Sequence, residues 1–371
     1  MSTATPTRTR RARVVRLAEA VCAHELDWLL VTGQVNVRYV TGFTGSTGLA
    51  LVAAGADHVH RFFTDFRYVT QAREEVADAF QRETVVDNLM QGVAAALGPD
   101  GGRLGFLERD LTVADHSRLA QVLGERWELI ASAEIVERLR RVKDASEIEL
   151  IRAASELADE AMTAVLEGGL VGRTESDIAL ELELQMRRRG AEGASFPAIV
   201  AAGPHGALPH AHARDEQIPR DVLVTVDWGA RHDGYCSDCT RTYATGEQLD
   251  ERAREVYELV RSAQQLAVEA TRPGLGARAL DAVARAVIEA AGFGEQFGHG
   301  LGHGVGMEVH EPPRLARAAP DDPLEPGNVV TIEPGVYAPD ELGVRIEDLL
   351  VVTPSGSDVL TRLSKELIVA T

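Results

Sequence analysis

Residues 297–311 read FGHGLGHGVGMEVHE, three histidines spread among five glycines. His299 and His303 stand four apart, a spacing that would align two imidazoles on one face of a helix and suit a zinc ion. Four glycines between residues 298 and 304 oppose a helix there. The histidines therefore need partners from elsewhere in the chain, and four carboxylates offer themselves. Asp227 lies in VTVDWG and Asp238 in YCSDCTRT; Glu333 lies in VTIEPG and Glu347 in GVRIED.

Each pair flanks a turn. A turn centred between His232 and Asp233 would set Asp227 directly across from Asp238, with Cβ atoms about 4.5–5.5 Å apart. Glu333 and Glu347 are symmetric about Asp340, and a slip of one or two residues would offset either pair without separating it far. Like charges opposite each other on a sheet repel, and these sit in apolar runs where burial would penalise ionisation. Solvent-facing acids on edge strands would escape the problem. Sharing a proton within a pair would ease it, but that chemistry needs two carboxylates, not four. Cations are the remaining solution: four carboxylates balance two divalent ions, which two-metal hydrolases hold about 3.5–4 Å apart.

The elements that must position these residues follow a pattern. Residues 9–24 read as a helix, followed by strands at WLLVTG, TGLALVAAG and VHRFFTD and helical stretches at 67–80 and 113–123. This describes a small α/β domain over residues 1–140, with the charged RLRRVKDASE as a linker. From 141 to 371 the order becomes regular. SEIE at 146 has capping-box spacing and opens a long helix, and TESD at 174 opens a second, ending at Gly190. The hairpin VLVTVDWGA–RHDG–YCSDCTRTYA follows. Helices near 250–270 and 277–291 then precede the hairpin VVTIEPGVYA–PDEL–GVRIEDLLVV. Helix, helix, hairpin occurs twice, an internal structural duplication.

Bulk composition narrows the classes. A chain of 371 residues with 45% hydrophobic and 26% charged residues is globular and suits two domains. A formal charge of −19 excludes a nucleic-acid partner, which needs clustered Lys and Arg. No apolar run approaches the ~20 residues of a membrane span. The basic start MSTATPTRTRRARVVRLAEAV lacks the apolar core and cleavage site of a secretory signal and reads as a short tail entering an amphipathic helix. Three cysteines fit a reducing cytoplasm. Cys236 and Cys239 resemble a CxxC pair, but on a strand residues three apart face opposite ways.

The motifs VDWGA, YCSDCTRT, GHGLGHGVGMEVHEPP, TIEPGVY and GVRIED, in this order, resemble those of the pita-bread metallopeptidases, the group of methionine aminopeptidase, aminopeptidase P, prolidase and creatinase. NVRYVTGFTGS and TDFRY resemble the amino-terminal domain of its proline-specific branch. The resemblance implies an α/β (α+β) fold: a catalytic pita-bread domain with pseudo-two-fold duplication over 141–371 and a creatinase/prolidase-like domain over 1–140. It implies a dinuclear site: Asp227 on one metal, Asp238 and Glu347 bridging, His303 and Glu333 on the other. His210 and His310 would face the scissile carbonyl or its oxyanion, and Glu333 would move the proton from nucleophile to leaving nitrogen. His299 resembles an outer histidine, packed near the site or touching substrate. Arg345 would orient the carboxylates, and Arg314 occupies the place of an arginine common in prolidases.

The activity implied is hydrolysis of Xaa-Pro bonds by a metal-bridged hydroxide on small peptides with proline second. An Xaa-Pro dipeptidase is the first reading and an aminopeptidase P acting on longer peptides the alternative. Arg314, or amino-terminal arginines such as Arg67, would then meet a free carboxylate. One imidazole among oxygen ligands favours manganese, with zinc or cobalt as alternatives. Relatives are often homodimers, and the same is expected here. A creatinase-like amidinohydrolase or a non-catalytic binding protein would have lost ligands, whereas all five are present. A nucleotide site is excluded, since neither glycine-rich phosphate motif fits the stretch.

Overall fold

The computed structural model describes residues 4–55 and 59–371, with side chains from residue 10 onward. They form two compact units, Met1–Arg140 and Arg141–Thr371.

The first unit is built on a six-stranded sheet. Its spatial order is Phe80–Thr84, His60–Thr64, Leu49–Ala53, Trp28–Val31, Gly102–Leu107 and Trp127–Ser132. Leu49–Ala53 pairs antiparallel with both neighbours and the remaining pairings are parallel. Every residue of Leu49–Ala53 is buried, so the run shows no alternation. The amino-terminal helix is Ala4–Ala23, starting earlier than residue 9; the first three residues of the expected tail lie outside the described part. The helix expected over 67–80 stops at Glu75, because Ala77 turns its N–H to Thr41 O at 2.9 Å and Phe80 begins a strand. That strand, FQRET, buries only Phe80 and so carries no periodic signal.

The segment read as a linker is structured. Ile135–Arg141 is helical, and Lys143 is buried with its Nζ 2.6 Å from Glu311 Oε1. Asp144, rather than Ser146, caps the helix Ala145–Glu167, in a capping box with Glu147. Thr174 and Asp177 form the second box, on Glu175–Arg188.

In the second unit the duplication is explicit. Helices Ala145–Glu167 and Glu175–Arg188 cover the sheet Ile199–Ala202, Leu223–Trp228, Cys239–Ala244; helices Glu251–Ala270 and Ala277–Ala290 cover its counterpart, Gly302–Gly304, Val329–Ile332, Asp348–Thr353. Glu311–Leu315 and Gly356–Val359 extend the second sheet at its two edges. Each half has its own apolar core, Trp228 and Met162 in one, Tyr257 and Ile332 in the other. This is the pita-bread arrangement that the resemblance implied.

The registers differ in how well turn chemistry foretold them. The second hairpin is centred on Asp340 as expected: Ile332 pairs with Asp348 and Gly335 with Arg345 on either side of Glu333 and Glu347. The first is centred one residue later than expected. Asp233 and Gly234 both have positive φ, 44° and 83°, forming a two-residue turn of the type that Asp-Gly favours. His232 therefore pairs with Tyr235, and Asp227 faces Thr240 instead of Asp238.

Candidate functional site

The four carboxylates come from equivalent places in the two halves. Asp227 is near the end of Leu223–Trp228 and Glu333 just follows Val329–Ile332; Asp238 and Glu347 each immediately precede the strand returning across them. His303, the middle residue of Gly302–Gly304, points its Nε2 between them, 3.3 Å from Glu333 Oε1 and 3.6 Å from Asp238 Oδ2. One ligand atom each from Asp238, His303 and Glu347 lies within 4.8 Å of the others.

The glycines around His303 serve close packing of strands. A Cβ on Gly302 would stand 2.1 Å from Thr331 O, and one on Gly304 2.3 Å from Pro312 O. Backbone approach to neighbouring strands, more than room beside a metal, accounts for them.

Hydrogen bonds hold the carboxylates from behind. Arg345 donates through Nη2 to Asp227 Oδ2 at 2.7 Å, through Nη1 to Tyr337 Oη at 2.8 Å, and through Nε to Thr240 Oγ1 at 3.1 Å. Thr240 in turn donates to Glu347 Oε2 at 2.7 Å. His299 Nδ1 donates to Gly300 O at 2.7 Å, which leaves Nε2 to accept the Tyr337 hydroxyl at 2.9 Å. Burial lowers the His299 pKa and favours that neutral tautomer. His299 thus reaches Asp227 through Tyr337 and Arg345.

His310 and His210 are exposed. The His310 ring stands edge-on to His303 with centroids 4.3 Å apart, and its pKa is lowered by partial desolvation and by the charges of His303, His210 and Arg314. Arg314 is exposed and sits directly across from His303 in the pairing of their strands, so both side chains leave the same face. His210 follows Pro209, whose carbonyl accepts from Arg345 Nη1 at 3.2 Å. His205 is set apart from this group. It binds the buried Glu175 carboxylate at 2.9 Å, and the same carboxylate accepts from the backbone of Ala202 and Arg214. His212 is exposed on the same loop. Neither Cys236 nor Cys239 takes part: their thiols are buried and donate to Met307 O and Glu347 O.

The electrostatics of the carboxylates call for positive charge. Burial drives Asp238 and Glu347 well above the usual carboxylate range, and the neighbouring carboxylates push them further. Burial also raises Asp227, against the pull of Arg345. At Glu333 burial is outweighed by the hydrogen bond and charge of His303, which bring it to about 2. Asp227 Oδ1 is buried and has no hydrogen-bond partner. Three crowded carboxylates resisting ionisation, an orphaned oxygen and an imidazole beside them fit a pair of divalent cations, with oxygen donors predominating.

Thr240 and Tyr337 were not singled out from sequence. Strand periodicity holds the signal for Tyr337: Glu333, Gly335 and Tyr337 alternate onto one face, opposite Glu347, Arg345 and Gly343. A Cβ on Gly335 would stand 2.5 Å from the Tyr337 hydroxyl, so that glycine clears its place.

Residues 149–354 match metallopeptidase family M24, and residues 13–142 match the creatinase/prolidase N-terminal domain. The chain belongs to metallopeptidase family M24. An Xaa-Pro dipeptidase structure from Bacillus anthracis has a TM-score of 0.92 at 39% identity, covering 97% of this chain and 99% of that one. The Xaa-Pro dipeptidase of Pyrococcus horikoshii is 34% identical over 359 residues, 96% of this chain and 98% of the relative. An X-Pro aminopeptidase structure from Thermotoga maritima has a TM-score of 0.86 at 34% identity, covering 93% of this chain and 97% of that one.

Proposed function

We propose that this enzyme is an Xaa-Pro dipeptidase working with two divalent cations. The observation that carries the reading is the placement of Arg314 across from His303, whose imidazole meets the carboxylate cluster, and next to His310. Asp227, Asp238, Glu347, His303 and Glu333 would hold the ions, manganese first, with zinc or cobalt as alternatives. When bound, two such ions would supply Lewis-acid chemistry, activating water near neutral pH and polarising the scissile carbonyl.

The remaining work falls to side chains. His310 and His210, both exposed, are placed to donate hydrogen bonds to the carbonyl oxygen as charge develops on it. Glu333 is placed to carry the proton from the nucleophile to the leaving nitrogen. The bond before proline is a tertiary amide with no N–H, so the site needs no acceptor for that hydrogen. Arg314 meets the carboxylate that a dipeptide carries one residue beyond the scissile bond. His299, Tyr337 and Arg345 hold Asp227 in place behind the reacting groups. The substrate is therefore a small peptide with proline second, and a cytoplasmic homodimer is the form this reading expects.

A second reading, Xaa-Pro aminopeptidase, is favoured by the likeness to the Thermotoga enzyme. Comparing kcat/KM on Ala-Pro and Ala-Pro-Ala separates the two. A dipeptidase cleaves Ala-Pro and leaves Ala-Pro-Ala nearly untouched; faster cleavage of the tripeptide would establish the second reading instead.

A further inference from the structure

Segment 297–301 carries the chain from the helix Ala277–Ala290 to the strand with His303, and Phe297, Gly298, His299, Gly300 and Leu301 lie outside any sheet. Its polar backbone groups must still be satisfied, because Phe297 and Leu301 are buried. Two side chains of the neighbouring helix satisfy them. Arg285 Nη1 donates to Phe297 O at 2.8 Å and Nη2 donates to His299 O at 2.7 Å, while Asp281 Oδ1 accepts from Leu301 N at 3.0 Å. The chain bends at His299 and at Leu301, so no neighbouring strand could satisfy these groups in a regular ladder. The Asp281–Arg285 pair thus fixes the segment at three points along its course.

Leu301 O accepts from Glu333 N at 2.8 Å, and two residues on His303 N donates to Thr331 Oγ1 at 3.1 Å. The clamp therefore acts on the stretch that orients both Glu333 and His303. The guanidinium also lies over the Phe297 ring, 4.1 Å from its centroid, and that ring meets His299 edge-on at 5.2 Å. Asp281 and Arg285 are joined to each other at 2.7 and 2.8 Å and are almost fully buried. A buried ion pair adds little stability beyond what apolar residues of similar size would give, so stability alone does not explain it.

We propose that Asp281 and Arg285 are positioning residues, a clamp that fixes the bent course of segment 297–301 and so keeps His303 and Glu333 together as one cation-binding pair. The Asp227 side is held separately by Arg345, so the clamp governs one of two ion sites. The proposal rests on the two-cation reading above, and its test reads ion binding instead of turnover.

The decisive variant replaces both partners, Asp281→Leu with Arg285→Met, so that no buried charge is left unpaired and the helix keeps its packing. Arg285→Lys, which retains the charge but cannot bridge two carbonyls, is the conservative companion. Each protein is stripped with a chelator and titrated with manganese chloride by calorimetry, and amide exchange at Leu301 is followed in the stripped form. The expected result is a native-like melting temperature, faster Leu301 exchange, and one of two ion sites weakened about 10–100-fold with the other unchanged. Arg285→Lys should fall between wild type and the double variant. Native affinity at both sites in the double variant would overturn the clamp. A wild-type protein that binds no manganese would overturn the two-cation reading and the clamp with it.

Discussion

Replacing Arg314 with methionine separates recognition of the substrate's carboxylate from every other role of the site. The side chain is exposed and leaves the same face as His303. A hydrogen bond to a charged partner contributes about 1.5–3 kcal/mol. Solvent reaches this guanidinium, so screening moves its contribution toward the lower figure. At about 1.36 kcal/mol per factor of ten, kcat/KM for Ala-Pro should fall about 10-fold, approaching 100-fold if substrate closes off the solvent. The loss should appear mainly in KM, because the carboxylate is bound equally in ground and transition states. Folding should change by no more than ~0.5 kcal/mol, the usual bound for an exposed position. Steady-state kinetics on Ala-Pro and Ala-Pro-Ala, with thermal melts of both proteins, measure all of this. An equal loss on both substrates, or none on Ala-Pro, would refute the role given to Arg314.

Two further outcomes follow from the network and from the buried acids. Thr240→Val removes the hydroxyl that donates to Glu347 at 2.7 Å and accepts from Arg345 at 3.1 Å, at nearly constant volume. Manganese affinity should drop about 10–100-fold, read by calorimetric titration, with the fold retained. Asp159 is mostly buried on the helix Ala145–Glu167, and burial raises its pKa from 3.8 to about 6, against the hydrogen bond from Arg362 N. The native state then holds a proton that the unfolded state releases, so stability falls as pH rises from about 4 to about 6, by at most about 3 kcal/mol. Asp159→Asn should flatten that slope in urea melts taken at pH 4, 6 and 8; an unchanged slope would contradict the assignment.

What the sequence disclosed depended on how local each determinant is. The four carboxylates and His303 stand in strongly patterned runs, and a symmetric loop around Asp340 was enough to register Glu333 and Glu347. The Asp227 hairpin was misjudged because two positive-φ residues, Asp233 and Gly234, set its turn one position later. That shift puts Thr240 opposite Asp227, where its hydroxyl links Arg345 to Glu347. Charge was a poor guide to exposure in RLRRVKDASE, since Arg140 and Lys143 are buried. His205 and His210 look alike in sequence, yet a buried Glu175 from a distant helix claims the first. The Asp281–Arg285 clamp was beyond reach for the same reason: its partners are backbone atoms 12 to 20 residues away.

The central claim is that four carboxylates and His303 hold two working cations. Elemental analysis of the purified enzyme, before and after chelation and paired with Ala-Pro hydrolysis, tests it most directly. Two divalent ions per chain are expected, with hydrolysis lost on chelation and restored by manganese, and with Asp238→Asn unable to recover it. Undiminished Ala-Pro hydrolysis by the ion-free protein would contradict the account.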